Sequence, residues 1–152
     1  MSNLFNRDFQ DFITSLNKNH VKYILVGGYA VILHGYIRST ADMDIWVRKS
    51  KENFQKLSRA LFEFGAPSIP ENEFFGTGLD VWSFGREPNM IEIMNQIKGL
   101  DFDLAYENSL ILNQDKLQIR YLHLNDLLEA KKAVGRFKDL NDLEQLKKIS
   151  KK

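Results

Sequence analysis

Val21-Lys-Tyr-Ile-Leu-Val-Gly-Gly-Tyr-Ala30 and Asp42-Met-Asp-Ile-Trp-Val47 are the two stretches whose reading decides the fold. Val21 to Val26 favours β structure and ends abruptly at Gly27-Gly28, where strand gives way to turn. A helix is expected to follow through Tyr29, Ala30, Val31, Ile32 and Leu33, with His34 in its last turn and Gly35 as the left-handed residue that ends it. The second stretch alternates. In a strand that alternation puts Asp42, Asp44 and Trp46 on one face and Met43, Ile45 and Val47 on the other. Alternate residues of a strand lie about 6.5–7 Å apart, a spacing that suits two carboxylates sharing hard divalent cations such as Mg²⁺. Glycine lets a backbone approach an anion closely, and the free N–H groups of a following helix point at it. Alone, the glycines read as a tight turn and the aspartates as a solvated strand. Together they point to phosphate chemistry.

Working outward, Arg7 to Asn19 carries Phe9, Phe12, Ile13 and Leu16 at helical spacing. Ser50 can cap a helix whose apolar stripe is Phe54, Leu57, Leu61 and Phe62 and whose stop is Gly65. Ala66 to Gly78, with Pro67, Pro70, Gly76 and Gly78, is expected to be a mobile or substrate-facing loop. Leu79–Phe84 and Met90–Met94 form an expected hairpin around Gly85-Arg-Glu-Pro-Asn89, and weaker strands fall at Leu110–Leu112 and Leu117–Leu122. Asn125 or Asp126 opens a helix to Val134, Gly135 breaks it, and Leu140, Leu143, Leu146 and Ile149 mark a last helix. The expected fold is α/β (α+β): a small mixed, mainly antiparallel sheet with packed helices and a short helical C-terminal region, in one domain over residues 1–152.

Composition narrows the function. Of 152 residues, 43% are hydrophobic and 27% charged, the balance of an ordinary globular chain. Lys and Arg number 21 against 20 Asp and Glu, so a net charge of +1 leaves room only for local basic sites. The absence of cysteine excludes disulfides, thiolate metal ligands and Cys nucleophiles. No apolar run reaches the length of a membrane helix, and the N-terminal residues lack a secretory pattern, so a cytoplasmic protein without a membrane partner is expected.

Glu92 lies between Ile91 and Ile93 and shares a strand face with Met90 and Met94, where a carboxylate is costly unless paired or metal-bound. It is the candidate for a third acid. Asp80 is its rival, with Asp101 and Asp103 weaker because their surroundings read as turns. Lys131 shares a helical stripe with Leu127 and Val134, so it either snorkels at the border or points at bound phosphate. Arg136 and Lys138 can add to that charge or pair with Asp139 and Asp142.

Gly27-Gly-Tyr-Ala30, His34-Gly35, Arg38, Thr40 and Asp42-x-Asp44-Ile45 in this order resemble the signature of minimal nucleotidyltransferases of the polymerase-β type. The resemblance is to the branch with abortive-infection and toxin–antitoxin nucleotidyltransferases and small antibiotic adenylyltransferases. Asn125 to Asp139, followed by Asp142-Leu143, resembles that branch's C-terminal helical motif. The resemblance implies that Gly27, Gly28, Arg38, Thr40, Lys131 and Arg136 bind nucleotide, and that Asp42, Asp44 and Glu92 bind Mg²⁺, two ions, with Mn²⁺ as the alternative. Glutamate at 92 departs from the usual aspartate, and the interval from Gly28 to Asp42 is longer than in polymerase members.

The function expected on this resemblance is metal-dependent transfer of a nucleoside monophosphate from an NTP, ATP first, to a hydroxyl on a protein, an RNA end or a small molecule. A different class of reading is a catalytically weak or inactive antitoxin-like interaction protein that meets a toxin partner through Phe74, Phe75 and Trp82. A metal phosphohydrolase is disfavoured because the chain has only His20, His34 and His123 and no histidine cluster.

Overall fold

A computed structural model describes residues 5–36, 40, 42–78, 80–135 and 137–150. Strands β1 (Tyr23–Val26), β2 (Met43–Val47), β3 (Val81–Phe84), β4 (Ile91–Met94), β5 (Leu110–Gln114) and β6 (Leu117–Tyr121) form one sheet in the order β3-β4-β2-β1-β6-β5. The pairs β1–β2, β3–β4 and β5–β6 are antiparallel; β1–β6 and β2–β4 are parallel. The mixed, mainly antiparallel sheet is the expected one.

Side-chain alternation divides the interior in two. Tyr23, Leu25, Met43, Ile45, Val47, Ile91 and Ile93 face helices α1 (Arg7–Lys18) and α3 (Lys51–Phe64). Ile24, Val26 and Trp46 face the other side, beneath α5 (Phe102–Asn108), α6 (Leu124–Val134) and α7 (Phe137–Ser150). Being covered on both faces, β1 is buried along its whole length, which is why its sequence is a continuous apolar run rather than an alternation.

Helix ends follow local chemistry. Asn6 accepts the Phe9 N–H at 2.9 Å to open α1, and Ser50 accepts the Asn53 N–H at 3.2 Å to open α3. Gly65 (φ 92°) closes α3 and Gly135 (φ 69°) closes α6 in the left-handed conformation that glycine adopts without a Cβ penalty. Asn53 then ties α3 to the sheet: buried, it accepts from Lys22 N and donates to the carbonyls of Lys22 and Arg48.

Four details differ from the sequence expectation. Phe62 is 85% exposed, because successive helix positions are about 100° apart and the centre of the stripe belongs to Leu57, Ala60 and Leu61. Leu140 of α7 is likewise half exposed at 50%. The expected loop at 66–78 contains a short helix, α4 (Glu71–Phe74), whose Phe74 is fully buried. Asp101 and Asp103 belong not to a turn but to α5, where Asp101 caps the helix by accepting the Leu104 N–H at 3.1 Å. Among the described residues no helix is long and apolar enough to cross a membrane.

Two substitutions separate the buried and exposed positions by denaturant unfolding. Phe12→Ala, at a site fully buried against Phe64 and Phe84, is expected to cost about 3–5 kcal/mol. Phe62→Ala is expected to stay within about 0.5 kcal/mol of the parent.

Candidate active site

Register brings the candidate residues together. In the antiparallel β1–β2 pair Val26 lies opposite Asp44, and in the parallel β2–β4 pair Asp44 lies opposite Glu92. Neighbouring strands are about 4.8 Å apart, so the end of β1, Asp44 and Glu92 stand side by side in the middle of the sheet. Past Val26 the chain enters α2 (Gly27–Leu33) through Gly27, which holds φ 68°. A Cβ on Gly27 would collide with the Asp44 carboxylate, and one on Gly28 would lie 2.8 Å from Thr40 Cβ. The two glycines are thus what lets the turn lie against Asp44 and Thr40.

The acids are strongly perturbed by this crowding. Burial first, then a hydrogen bond with Glu92 and the charges of Glu92 and Asp42, push the Asp44 carboxyl well above the usual carboxylate range, while Lys131 pulls the other way. Asp42 also bears on Tyr29, whose hydroxyl is pushed up by burial and then by that negative charge. Asp42 Oδ1 and Asp44 Oδ1 are buried with no hydrogen-bond partner among the described residues. Buried, unsatisfied carboxylate oxygens are expensive unless something else meets them. Among the described residues no three His, Cys, Asp or Glu side chains converge into a closed ligand cluster. The donor set is nonetheless the hard-oxygen kind that fits Mg²⁺, two orphaned oxygens with a third acid on the next strand.

Beside the acids opens a cleft of about 290 Å³, lined by Gly27, Asp44, Glu92 and Lys131 and walled by apolar residues including Met94 and Leu127. Lys131 is buried on α6 rather than snorkelling at a border, and its Nζ lies 3.0 Å from Asp142 Oδ2 on α7. Asp142 is itself 2% exposed. The sequence left it a surface partner for Arg136 or Lys138; the structure pairs it with Lys131. The signal that could have found it is the interval from Lys131 to Asp142, eleven residues that span the Gly135 break and bring the two helices face to face.

The remaining candidates sort plainly. Thr40 stands against Gly28. Asp80 lies near Gly76, outside the cleft lining, so Glu92 and not Asp80 adjoins Asp44. Arg48 takes Asp103, Nε to Oδ1 at 2.7 Å. Arg38 and Arg136 fall outside the described residues, as does the side chain of Lys138. Phe74, Phe75 and Trp82 do not form an outward surface: Phe74 is buried between the other two rings at 5.1 and 5.9 Å, and only Phe75 is exposed, at 37%. His34 hydrogen-bonds the Leu122 carbonyl and His123 caps α6, so neither stands among the acids.

Two expected outcomes follow from this geometry. Gly27→Ala, forced into a left-handed backbone and against Asp44, should lose about 1–3 kcal/mol by thermal unfolding. A double-mutant cycle of Lys131→Met and Asp142→Asn should return a coupling of about 1–3 kcal/mol by denaturant unfolding.

Comparisons with known proteins bear on the family and the fold. The family model described as "Nucleotidyltransferase of unknown function (DUF6036)" matches residues 7–151. Among solved structures, a Thermotoga maritima protein assigned as a nucleotidyltransferase superposes with a TM-score of 0.65 at 17% identity, covering 91% of this chain and 89% of its own. The lincosamide antibiotic adenylyltransferase LnuA, solved with lincomycin bound, superposes with a TM-score of 0.56 at 17% identity over 97% of this chain and 99% of its own. At such identities these two establish likeness of fold. No curated protein sequence matches the chain.

Proposed function

The chain belongs to the nucleotidyltransferase family whose model spans residues 7–151, and from that premise we propose that it moves a nucleoside monophosphate from an NTP to a hydroxyl acceptor with release of pyrophosphate. The observation that carries this reading is Asp44 and Glu92 side by side on adjacent strands at the Gly27 turn, with Asp42 Oδ1 and Asp44 Oδ1 buried and without a hydrogen-bond partner among the described residues. Those acids suit divalent metal better than they suit one another. ATP is the donor to try first, in keeping with an adenylyltransferase among the structural neighbours. The acceptor is a protein side chain, an RNA end or a small molecule.

Asp42, Asp44 and Glu92 are the residues that would hold Mg²⁺, or Mn²⁺ in its place. When bound, the metal neutralises the triphosphate and lowers the pKa of the acceptor hydroxyl. The protein's own groups do the rest. The acceptor oxygen bonds to the α-phosphorus as the bond to the bridging oxygen breaks, and pyrophosphate leaves with that oxygen. Glu92, half-buried on the strand beside Asp44, takes the acceptor's proton. Gly27 and Gly28 present backbone rather than side chain to the phosphates. Lys131, held by Asp142, sets a positive charge at the cleft wall. Arg38, Thr40 and Arg136 complete the nucleotide contacts. Positioning and fixed charge therefore carry most of the rate.

Of the aromatic residues on which the interaction-protein reading draws, Phe74 is buried, Phe75 is exposed and Trp82 is half-buried, so nucleotide transfer is the reading with the more specific geometric support.

Asp44→Asn removes one anionic ligand at constant shape. Mg²⁺-dependent nucleotide transfer should fall by about 10²–10³-fold or more, with the circular-dichroism spectrum unchanged. Transfer at the parental rate in that variant would contradict the assignment.

A further inference from the structure

A second charged cleft lies at the other end of β1. It has a volume of about 370 Å³ and is lined by Lys22, Lys56, Arg120, Tyr23 and Tyr106 together with neutral donors such as Gln118. It shares no lining residue with the cleft at Asp44, and among the described residues no carboxylate lines it. Three basic side chains, Lys22 just ahead of β1, Lys56 on α3 and Arg120 on β6, therefore converge on one opening of a chain whose net charge is +1.

The cations are organised around one ring. The Arg120 guanidinium lies 4.2 Å from the Tyr106 ring centroid, and its Nη1 donates to Ser109 Oγ at 2.9 Å. Lys22 Nζ lies 5.8 Å from the same centroid. Lys56 meets Glu52 at 3.0 Å, whereas among the described residues neither Lys22 nor Arg120 forms a contact ion pair with a carboxylate. The charge of Lys22 also bears on Glu52 and Asp103 outside the cleft lining, but on the Tyr106 ring itself two cations face each other, and a bound anion relieves their repulsion. A guanidinium held by stacking and a hydroxyl, whose other donors meet no acceptor among the described residues, suits tetrahedral phosphate oxygens. Lys22 immediately precedes β1, four residues before Val26, so this cleft lies about 13 Å along the chain direction of the strand from the residue opposite Asp44.

We propose that this cleft is a phosphate-binding site, separate from the nucleotidyl-transfer site and standing independently of it. The phosphate can come from a free nucleotide or from the phosphodiester backbone of a polynucleotide. The full chain is titrated in EDTA, which silences any metal-dependent site, with AMP by calorimetry and with a short fluorescein-labelled oligoribonucleotide by anisotropy. Binding of AMP identifies a free organic phosphate; binding of the oligonucleotide alone, with a log–log salt slope of about −2 for three contacts, identifies a backbone. Either result supports the site provided Lys22→Glu and Arg120→Glu each weaken it about tenfold or more while Asp44→Asn leaves it unchanged. Lys22 is exposed, so its reversal tests the site even if Arg120→Glu fails to fold. Absence of binding by both probes, parental affinity in Lys22→Glu, or loss of binding in Asp44→Asn overturns the proposal. Because no step depends on metal or turnover, the result is readable whether or not nucleotide transfer is found.

Discussion

A carboxyl group forced out of water beside another carboxyl group is the constraint around which this molecule is arranged. Asp44 lies between the Gly27 turn on one side and Glu92 on the other, and neither its burial nor its neighbour favours its charged form. The two strand pairings that create this crowding are the central ones, β1 with β2 and β2 with β4. A slip of one residue in either register would turn an acid toward the other face and an isoleucine into the cleft. The apolar residues that alternate with the acids, Met43, Ile45 and Val47, hold the register by filling the opposite core. Fold and site are thus specified by the same residues of the same strands.

The helical side supplies the second fixed point. Lys131 and Asp142 bury an ion pair between α6 and α7, an arrangement whose desolvation penalty makes it a poor source of stability. Its value is positional. The pair sets the amine at the wall of the cleft that also contains Asp44 and Glu92, and it does so across the junction of two helices that Gly135 separates. The charge balance of +1 accordingly averages over local features of opposite sign: acids in the sheet, a lysine against them, and a basic cleft at the far end of β1.

Much of this was legible in the sequence because it rests on local rules. The β1–Gly–Gly–α2 turn, the alternation in β2, the β3–β4 hairpin, the Ser50 cap and the glycine stops are written within a few residues of where they act. Glu92 could be chosen because an acid flanked by isoleucines needs a reason, and its partner across β2 is that reason. The sequence is silent where tertiary contacts decide. Phe62 fits a helical stripe as well as Ala60 does, and which of them faces inward depends on the sheet that α3 meets. Helix α5 is seven residues long, too short for periodicity to announce, and is held by burial of Ala105 and the contact of Phe102 with Trp46. Asp142 looked like surface because its partner lies on another helix. The basic cleft is invisible for the same reason, since Lys22, Lys56 and Arg120 are far apart in the chain and meet only when the residue ahead of β1, α3 and β6 come together.

The central claim is that the acids at Asp42, Asp44 and Glu92 serve transfer of a nucleotidyl group rather than hydrolysis or a structural role. It is tested most directly by following the label of α-³²P-ATP and γ-³²P-ATP in parallel, with Mg²⁺ and a host lysate as the source of acceptor. Nucleotidyl transfer predicts that the α label moves to an acceptor while the γ label appears as pyrophosphate, both at the same rate and both dependent on added protein. Movement of the γ label to inorganic phosphate or to an acceptor, with the α label left in ADP, would contradict the account.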